Sequence, residues 1–169
     1  MTRFDRPKPA PKPGSSIAWL SAIAVLSLGA VAAALVSQHV YGMQPCPWCV
    51  LQRAIFVVIA LACVVGLFWR SAAGRVVSAS LIFLLASSGV AASAWQHFVS
   101  AKSASCNLTL ADKIVSALKL DTVLPSVFSA TASCADAAVN LLGVPYDFWA
   151  LGLFAMLGLM GLRQFVVRV

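Results

Sequence analysis

Charged side chains are scarce in this chain. They make up 10% of its 169 residues, and its five acidic residues include no glutamate. An ordinary soluble domain carries about 25% charged residues. With 61% hydrophobic residues, so few charges cannot cover a water-facing surface of this size. The shortage of charge therefore excludes an ordinary soluble domain and indicates that lipid is the solvent.

The charge that is present is mostly positive. Twelve lysines and arginines face five aspartates, which leaves a net charge of +7. A basic balance often indicates nucleic-acid binding. Here the basic residues are scattered at the ends of apolar segments, which is typical of membrane topology signals. We therefore expect a lipid bilayer as a partner and no nucleic acid.

Four long apolar stretches run along the chain, at 17–36, 50–69, 76–98 and 148–167. Each has about 20 residues, the length that an α-helix needs to cross a bilayer. They are continuously apolar and do not alternate as half-buried strands do. The sequence predicts an all-α membrane protein, a bundle of four transmembrane helices within 17–169. A proline-rich, disordered cytoplasmic tail at 1–16 is expected to precede it.

The positions of the basic residues predict the orientation of the bundle. Eight of them fall on one side of a four-span protein: Arg3, Arg6, Lys8, Lys12, Arg70, Arg75, Arg163 and Arg168. That side is expected to be cytoplasmic and to hold both termini. The loops 37–49 and 99–147 then lie on the opposite side. A cleaved signal peptide is the alternative for the first span, but its apolar run is longer than such peptides usually carry.

The long loop contains a helical pattern. Apolar side chains recur at helical spacing at Leu110, Ile114, Val115 and Leu118. Thr109 and Asp112 have the spacing of a helix cap. These residues predict a short amphipathic helix. It would lie either on the membrane surface or packed on the protein itself, and the pattern leaves both open.

Four of the five cysteines lie in the outer loops or at their borders. Cys46 and Cys49 form a C-x-x-C motif at the start of the second span. There, unpaired backbone N–H groups and the helix dipole favour a thiolate. We interpret this motif as a redox-active pair. Cys63 lies inside the same span and is interpreted as a small buried apolar residue.

Arg53 follows Cys49 by four residues and shares its helix face. A charge just inside a membrane is a candidate functional residue, and a guanidinium there can stabilise a thiolate or hydrogen-bond a carbonyl oxygen. The alternative is an anchor that reaches out to the interface. His39 and His97, near the outer ends of the first and third spans, are interpreted as interfacial residues and are not assigned to the site.

Cys106 and Cys134 allow more than one interpretation. On their own they would be interpreted as a structural disulfide. A zinc site built from four cysteines typically has a second C-x-x-C motif, which the chain lacks, so no metal is predicted. Beside an outward-facing C-x-x-C and a membrane arginine, an electron relay between two cysteine pairs is favoured. The alternative is a small membrane scaffold held by two structural disulfides.

Four short segments carry a resemblance to a known family. They are P-C-P-W-C-V-L-Q-R at 45–53, Cys106 soon after the third span, L-P-S-V-F at 124–128 followed by Cys134, and L-G-V-P at 142–145 leading to Phe148 and Trp149. From about residue 17 to residue 164, the chain resembles the disulfide bond formation protein B (DsbB) family.

The resemblance implies a protein-disulfide oxidoreductase of the bacterial inner membrane with its cysteine loops in the periplasm. A periplasmic thioredoxin-like dithiol oxidase of the DsbA type would attack a Cys106–Cys134 disulfide, forming a mixed disulfide with Cys106. Electrons would then pass to Cys46 and Cys49. Cys49 and Arg53 would contact ubiquinone or menaquinone from the membrane quinone pool.

Two further membrane thiol proteins fit less well. A channel that passes reducing equivalents outward would need cysteines within the spans or on the inner face, and Cys63 is the only cysteine of the sequence at such a position. A protein like the quinone epoxide reductases usually carries its C-x-x-C late in the bundle, whereas here the motif opens the second span.

Overall fold

The computed structural model describes residues 13–69, 71–102 and 109–166. Its helices are α1 (Pro13–His39), α2 (Pro47–Phe68), α3 (Ala72–Phe98), α4 (Leu110–Ala117), α5 (Leu120–Val123), α6 (Pro125–Phe128) and α7 (Tyr146–Val166). A single 3-10 turn, Ser100–Lys102, follows α3. Within the described ranges, α1, α2, α3 and α7 are long and apolar enough to cross a membrane. The predicted all-α, four-helix membrane fold is confirmed.

The long helices begin earlier than the predicted spans. Helix α1 begins at Pro13, inside the segment predicted as a tail, and residues 1–12 lie outside the described residues. Helix α2 begins at Pro47. Proline suits the first turn of a helix because the N–H that it lacks would have no partner there. Helix α7 begins at Tyr146, two positions before the predicted span.

Two helix pairs make up the bundle. Helix α1 packs along α2, α3 packs along α7, and α2 joins the pairs by packing on α3, whereas α1 and α7 touch only sparsely. Phe56 of α2 stacks on Phe154 of α7 with ring centroids 4.0 Å apart. Gly89 of α3 leaves room for the Phe154 ring, because a Cβ at that position would collide with it. A cleft remains between α1 and α7.

Large apolar side chains cover much of the bundle's outer surface. Those that are more than half exposed on the long helices include Val25, Leu28, Leu61, Val65, Leu84 and Leu159. A water-soluble protein rarely shows so much contiguous apolar surface. This surface fits a multi-pass membrane protein in contact with lipid tails.

Helix α4 has the cap that the sequence predicted. The Thr109 side chain accepts from the backbone N–H of Asp112, and the Asp112 carboxylate accepts from the N–H of Thr109 at 2.8 Å. Ala111 and Val115 are buried against α2, so the helix packs on the protein itself. Leu110 stays exposed.

A two-strand hairpin leads into α7. Strands β1 (Asn140–Leu141) and β2 (Val144–Pro145) pair antiparallel. Leu142 and Gly143 between them have φ of +54° and +81°, the backbone that a two-residue hairpin turn needs. The hairpin delivers the chain directly to Tyr146 and so sets where α7 begins.

Candidate redox site

Cys46 caps the N-terminus of α2. Its backbone is extended and its sulfur accepts from the backbone N–H of Cys49 at 3.3 Å. The two sulfur atoms lie 2.9 Å apart. The first turn of the helix therefore brings the C-x-x-C pair within reach of thiol–disulfide exchange.

The long loop docks on the short loop and carries Cys134 to the same place. The backbone N–H groups of Thr131 and Ala132 donate to the carbonyl oxygen of Pro45 at 3.0 and 3.3 Å. Ser133 then closes a turn with Asp136, accepting from its backbone N–H at 3.2 Å and donating to its carboxylate at 2.6 Å. Cys134 lies within this turn and is buried.

Cys46 lies between the other two thiols. It hydrogen-bonds Cys134 as well as Cys49, and Cys134 also accepts from the backbone N–H of Trp48. Cys46, Trp48 and Cys134 belong to one buried cluster. Three of the four predicted cysteines therefore meet at one end of the bundle. Cys106 lies outside the described residues, so its predicted disulfide with Cys134 is not described either.

The hydrogen bonds divide the thiols by acidity. The bond to Cys134, the bond to Cys49 and burial together raise the pKa of Cys46 far above its ordinary value. The bond from Cys46 lowers the pKa of Cys134, and the N–H of Trp48 lowers it further, against the effect of burial. Of Cys46 and Cys134, Cys46 therefore keeps its proton, and Cys134 becomes a thiolate first.

Arg53 is buried beneath this cluster, with 6% of its surface exposed. One terminal nitrogen donates to Oε1 of Gln38 at 2.6 Å and to the carbonyl of Val127 at 2.9 Å, and the other donates to the carbonyl of Ala34 at 3.4 Å. The guanidinium thus joins α1, α2 and the long loop. Its Nε is buried and has no hydrogen-bond partner among the described residues.

A cavity of about 600 Å³ fills the cleft between α1 and α7. Cys49, Gln52 and Arg53 form its α2 wall. Small or apolar side chains form most of the rest, including Ala30, Ala33, Ala34, Phe56, Phe148, Trp149, Gly152, Leu153 and Met156. Tyr146 adds a hydroxyl, which is hydrogen-bonded to Ser37. Of the clustered cysteines, Cys49 is the one that faces this cavity.

Sequence reasoning missed three buried polar residues that hydrogen bonds connect to Cys49, namely Gln52, Gln96 and Asp147. Gln96 of α3 donates to the Cys49 sulfur at 3.2 Å and also to the carboxylate of Asp147. Gln52 donates to the Gln96 oxygen at 2.7 Å. His97, which the sequence left out of the site, lies 3.5 Å from Asp147. The one available signal was a polar residue inside an apolar span, which is a functional candidate by default.

The remaining predicted positions lie apart from the site. Cys63 is buried in the core of the bundle, as the sequence predicted for an apolar residue. His39 is exposed at the end of α1.

Fold and site together define a multi-pass membrane protein with a cysteine cluster at one end of its helix bundle, beside an apolar cavity. The chain belongs to the DsbB family, because the family model described as "Disulfide bond formation protein DsbB" matches residues 16–163. The family is named for disulfide bond formation, which implies a disulfide oxidoreductase, and the resemblance seen in the sequence is confirmed.

Individual relatives agree with the family model. "Disulfide bond formation protein B" of Herminiimonas arsenicoxydans is 32% identical over 141 residues, which cover 83% of this chain and 89% of the relative. The protein of the same name from Burkholderia pseudomallei is 32% identical over 80% of each chain. "Disulfide bond formation protein B 1" of Pseudomonas aeruginosa is 32% identical over 96% of this chain and 99% of its own.

Proposed function

We propose that this protein is a quinone-dependent thiol oxidase of the bacterial inner membrane. It reoxidises a periplasmic thioredoxin-like dithiol oxidase of the DsbA type and supports disulfide bond formation. The observation that carries the proposal is the position of Cys46. It touches Cys134 on one side and Cys49 on the other, and Cys49 alone of the three faces the cavity.

The order of contacts supports one order of exchange. A thiolate of the reduced partner attacks Cys106 of a Cys106–Cys134 disulfide and releases the Cys134 thiolate. That thiolate lies against Cys46 and attacks it, which breaks a Cys46–Cys49 disulfide and releases the Cys49 thiolate. The second partner thiol then resolves its mixed disulfide with Cys106. Cys106 then attacks Cys134, which re-forms the outer disulfide and releases Cys46 as a thiolate. Each step forms one disulfide bond and breaks another, so the two electrons end on Cys46 and Cys49, whose disulfide would re-form when the electrons leave.

The cavity residues fit a quinone. The apolar wall suits a ring with an isoprenoid tail, and the buried Nε of Arg53 without a partner among the described residues suits a carbonyl oxygen. Ubiquinone or menaquinone supplies an acceptor for two electrons and two protons. Arg53 would hold the acceptor, and Cys49 would present its sulfur to it. The electron pair lost by the partner dithiol then reaches the membrane quinone pool.

The charge pattern supports the proposed orientation. Because basic residues stay on the cytoplasmic side, both termini would be cytoplasmic and the docked loops would face the periplasm. That compartment is oxidising, and a soluble dithiol protein could reach the loop cysteines there.

Anaerobic quinone reduction tests the proposal. The purified protein in detergent is given a reduced thioredoxin-like periplasmic dithiol protein, and the loss of quinone absorbance is followed. We expect turnover by the wild type and none by Cys49→Ser or Cys106→Ser. Arg53→Gln should raise the KM for quinone about tenfold or more, since a hydrogen bond from a charged group contributes about 1.5–3 kcal/mol.

Cys63→Ala is the matched control, because it removes a buried thiol of the same helix that lies away from the cluster. It should leave turnover unchanged. If the wild type leaves every quinone oxidised with several donors, the cysteines serve as structural disulfides and the oxidase proposal is wrong.

A further inference from the structure

Every hydrogen-bonding group of the Gln96 side chain is used. The residue is 2% exposed and lies in the last turn of α3. One N–H points at the Cys49 sulfur at 3.2 Å and the other at a carboxylate oxygen of Asp147. Its oxygen accepts from the Gln52 amide at 2.7 Å. A buried amide with all its groups satisfied is held in one orientation.

The partners decide which way that amide points. If the Gln96 amide were turned over, its oxygen would face the Asp147 carboxylate, and its nitrogen would face the nitrogen of Gln52. Both contacts would be unfavourable, because a carboxylate accepts and an amide nitrogen donates. The orientation seen is therefore the satisfied one, and it presents a donor to Cys49.

His97 holds the far end of this chain of contacts. Its Nδ1 lies 3.5 Å from the second carboxylate oxygen of Asp147. Its ring packs on Phe98 and Phe148, with centroids 5.0 and 4.6 Å away. Asp147 is thereby held at the start of α7 between an imidazole and an amide. This arrangement explains how a carboxylate can be buried beside a cysteine.

We propose that Gln96 is a positioning residue, held by Asp147 and Gln52, that directs an N–H at the Cys49 sulfur and so stabilises its thiolate. A hydrogen bond to an ionised acceptor is about twice as strong as one between neutral groups, so the contact favours the thiolate over the thiol. The meaning of this for turnover rests on the proposed function, because Cys49 is the sulfur that faces the cavity.

The other titratable and charged groups around Cys49 come from three sides. Cys46 and Cys134 lie on the loop side and Arg53 one turn further along α2, while Tyr146 and Asp147 approach from α7. Substituting Gln96 changes none of these groups, so a Gln96 variant and its reference differ only in the donor. A change in the pH profile of Cys49 then reports the missing donor.

Alkylation of Cys49 tests the inference without any quinone. The full-length protein in detergent carries Cys46→Ala, so that Cys49 cannot be lost to the C-x-x-C disulfide. Its reaction with iodoacetamide is followed by mass spectrometry of the Cys49 peptide across a pH series. Gln96→Met keeps the length of the side chain and removes the donor. We expect the rate on the rising part of the profile to fall about tenfold and the profile to move to higher pH.

Two more variants sharpen the comparison. Gln96→Glu replaces the donor by a carboxylate and should slow the reaction further. Ser93→Ala is the matched control, since Ser93 is fully buried one turn earlier in α3 and its hydroxyl bonds its own helix at the carbonyl of Gly89. The control profile should be unchanged.

An unchanged Cys49 profile in both Gln96 variants overturns the inference. If Gln96→Met does not fold, Gln52→Leu takes its place, because it frees the amide and should shift the profile in the same direction by less. No shift in that variant also overturns the inference. If the alkylation profile shifts but the wild type does not reduce quinone, the proposed function is wrong and the role of Gln96 is still supported.

Discussion

Cys46 is the central residue of the cysteine cluster. It caps α2, it touches both other thiols, and it is completely buried. A thiol in this position exchanges with its two neighbours more readily than with a soluble reagent. Its burial therefore favours transfer within the protein over loss of the disulfide to the solvent.

The acidity of the clustered thiols predicts the order in which they react. In the reduced protein, the pKa of Cys134 is lowered by the hydrogen bond from Cys46, whose own pKa is raised. Because only the thiolate is alkylated, Cys134 should reach its half-maximal rate at a lower pH than Cys46. Cys46→Ala removes the donor and should move the Cys134 profile to higher pH. Mass spectrometry of each cysteine peptide after iodoacetamide treatment gives both profiles.

Cys63→Ala serves as the control for this order, since it leaves the hydrogen bond between Cys46 and Cys134 in place. Its Cys134 profile should match that of the wild type. The assignment is wrong if Cys46 titrates first, or if its removal leaves the Cys134 profile where it was.

Sequence reasoning reached some residues of the site and not others, for a physical reason. Cys49 and Arg53 are four positions apart on one helix, so helical geometry alone puts them on one face, and both line the cavity. Gln96 contacts Cys49 across 47 positions of sequence. That contact depends on how α3 packs against α2, which hydropathy does not encode. Asp147 falls at the end of the predicted loop 99–147, yet it is buried in the first turn of α7.

Arg53 shows how one residue can serve stability and function together. Its three hydrogen bonds join α1 and the long loop to α2, so its replacement should weaken the docking of the loop as well as any contact in the cavity. A loss of activity in Arg53→Gln therefore supports the oxidase only when the folded fraction of the protein is measured beside it.

At the scale of elements, hydropathy predicted the four long helices but not their neighbours. Each span is apolar on nearly every face, so the sequence carries little signal for which face meets which helix. Small residues decide part of this. Gly89 on α3 leaves room for the Phe154 ring, which stacks on Phe56 of α2. The close packing of α3 on α7 thus depends on glycine at position 89, which has no side chain to collide with the Phe154 ring.

Gly89→Ala tests that close approach. The added methyl group would overlap the Phe154 ring, and overpacking of a core costs about 1–3 kcal/mol. We expect a lower midpoint of thermal unfolding in detergent, followed by circular dichroism. Gly29→Ala is the matched control on α1, since nothing lies within 4 Å of its added Cβ. It should leave the midpoint unchanged or raise it, because alanine favours helix over glycine by about 1 kcal/mol. Equal midpoints in the two variants would contradict this packing.

At the scale of the whole molecule, the described chemistry is gathered at one end of the bundle. The start of α2, the end of α3 and the start of α7 meet there, and the two loops close over them. The sparse contact between α1 and α7 leaves the cavity beside that end. A thiol relay that begins in water and finishes in lipid needs this combination of a loop cover above and an apolar cleft below.

The proposed orientation makes a prediction about the two sides of the membrane. Four spans put both termini on one side, and the positions of the basic residues predict that this side is cytoplasmic. Alkaline phosphatase folds and is active only after export, because it needs disulfides that the cytosol does not form. Fused after Leu124, an exposed residue of the long loop, it should be active. Fused after Val169, it should be inactive, and a green fluorescent reporter at the two points should give the opposite pattern. Active phosphatase at Val169 together with inactive phosphatase at Leu124 would show that the protein has the opposite orientation in the membrane. The cysteine cluster would then face the reducing cytosol, and electrons could not flow from a periplasmic dithiol protein through the cluster to the quinone pool.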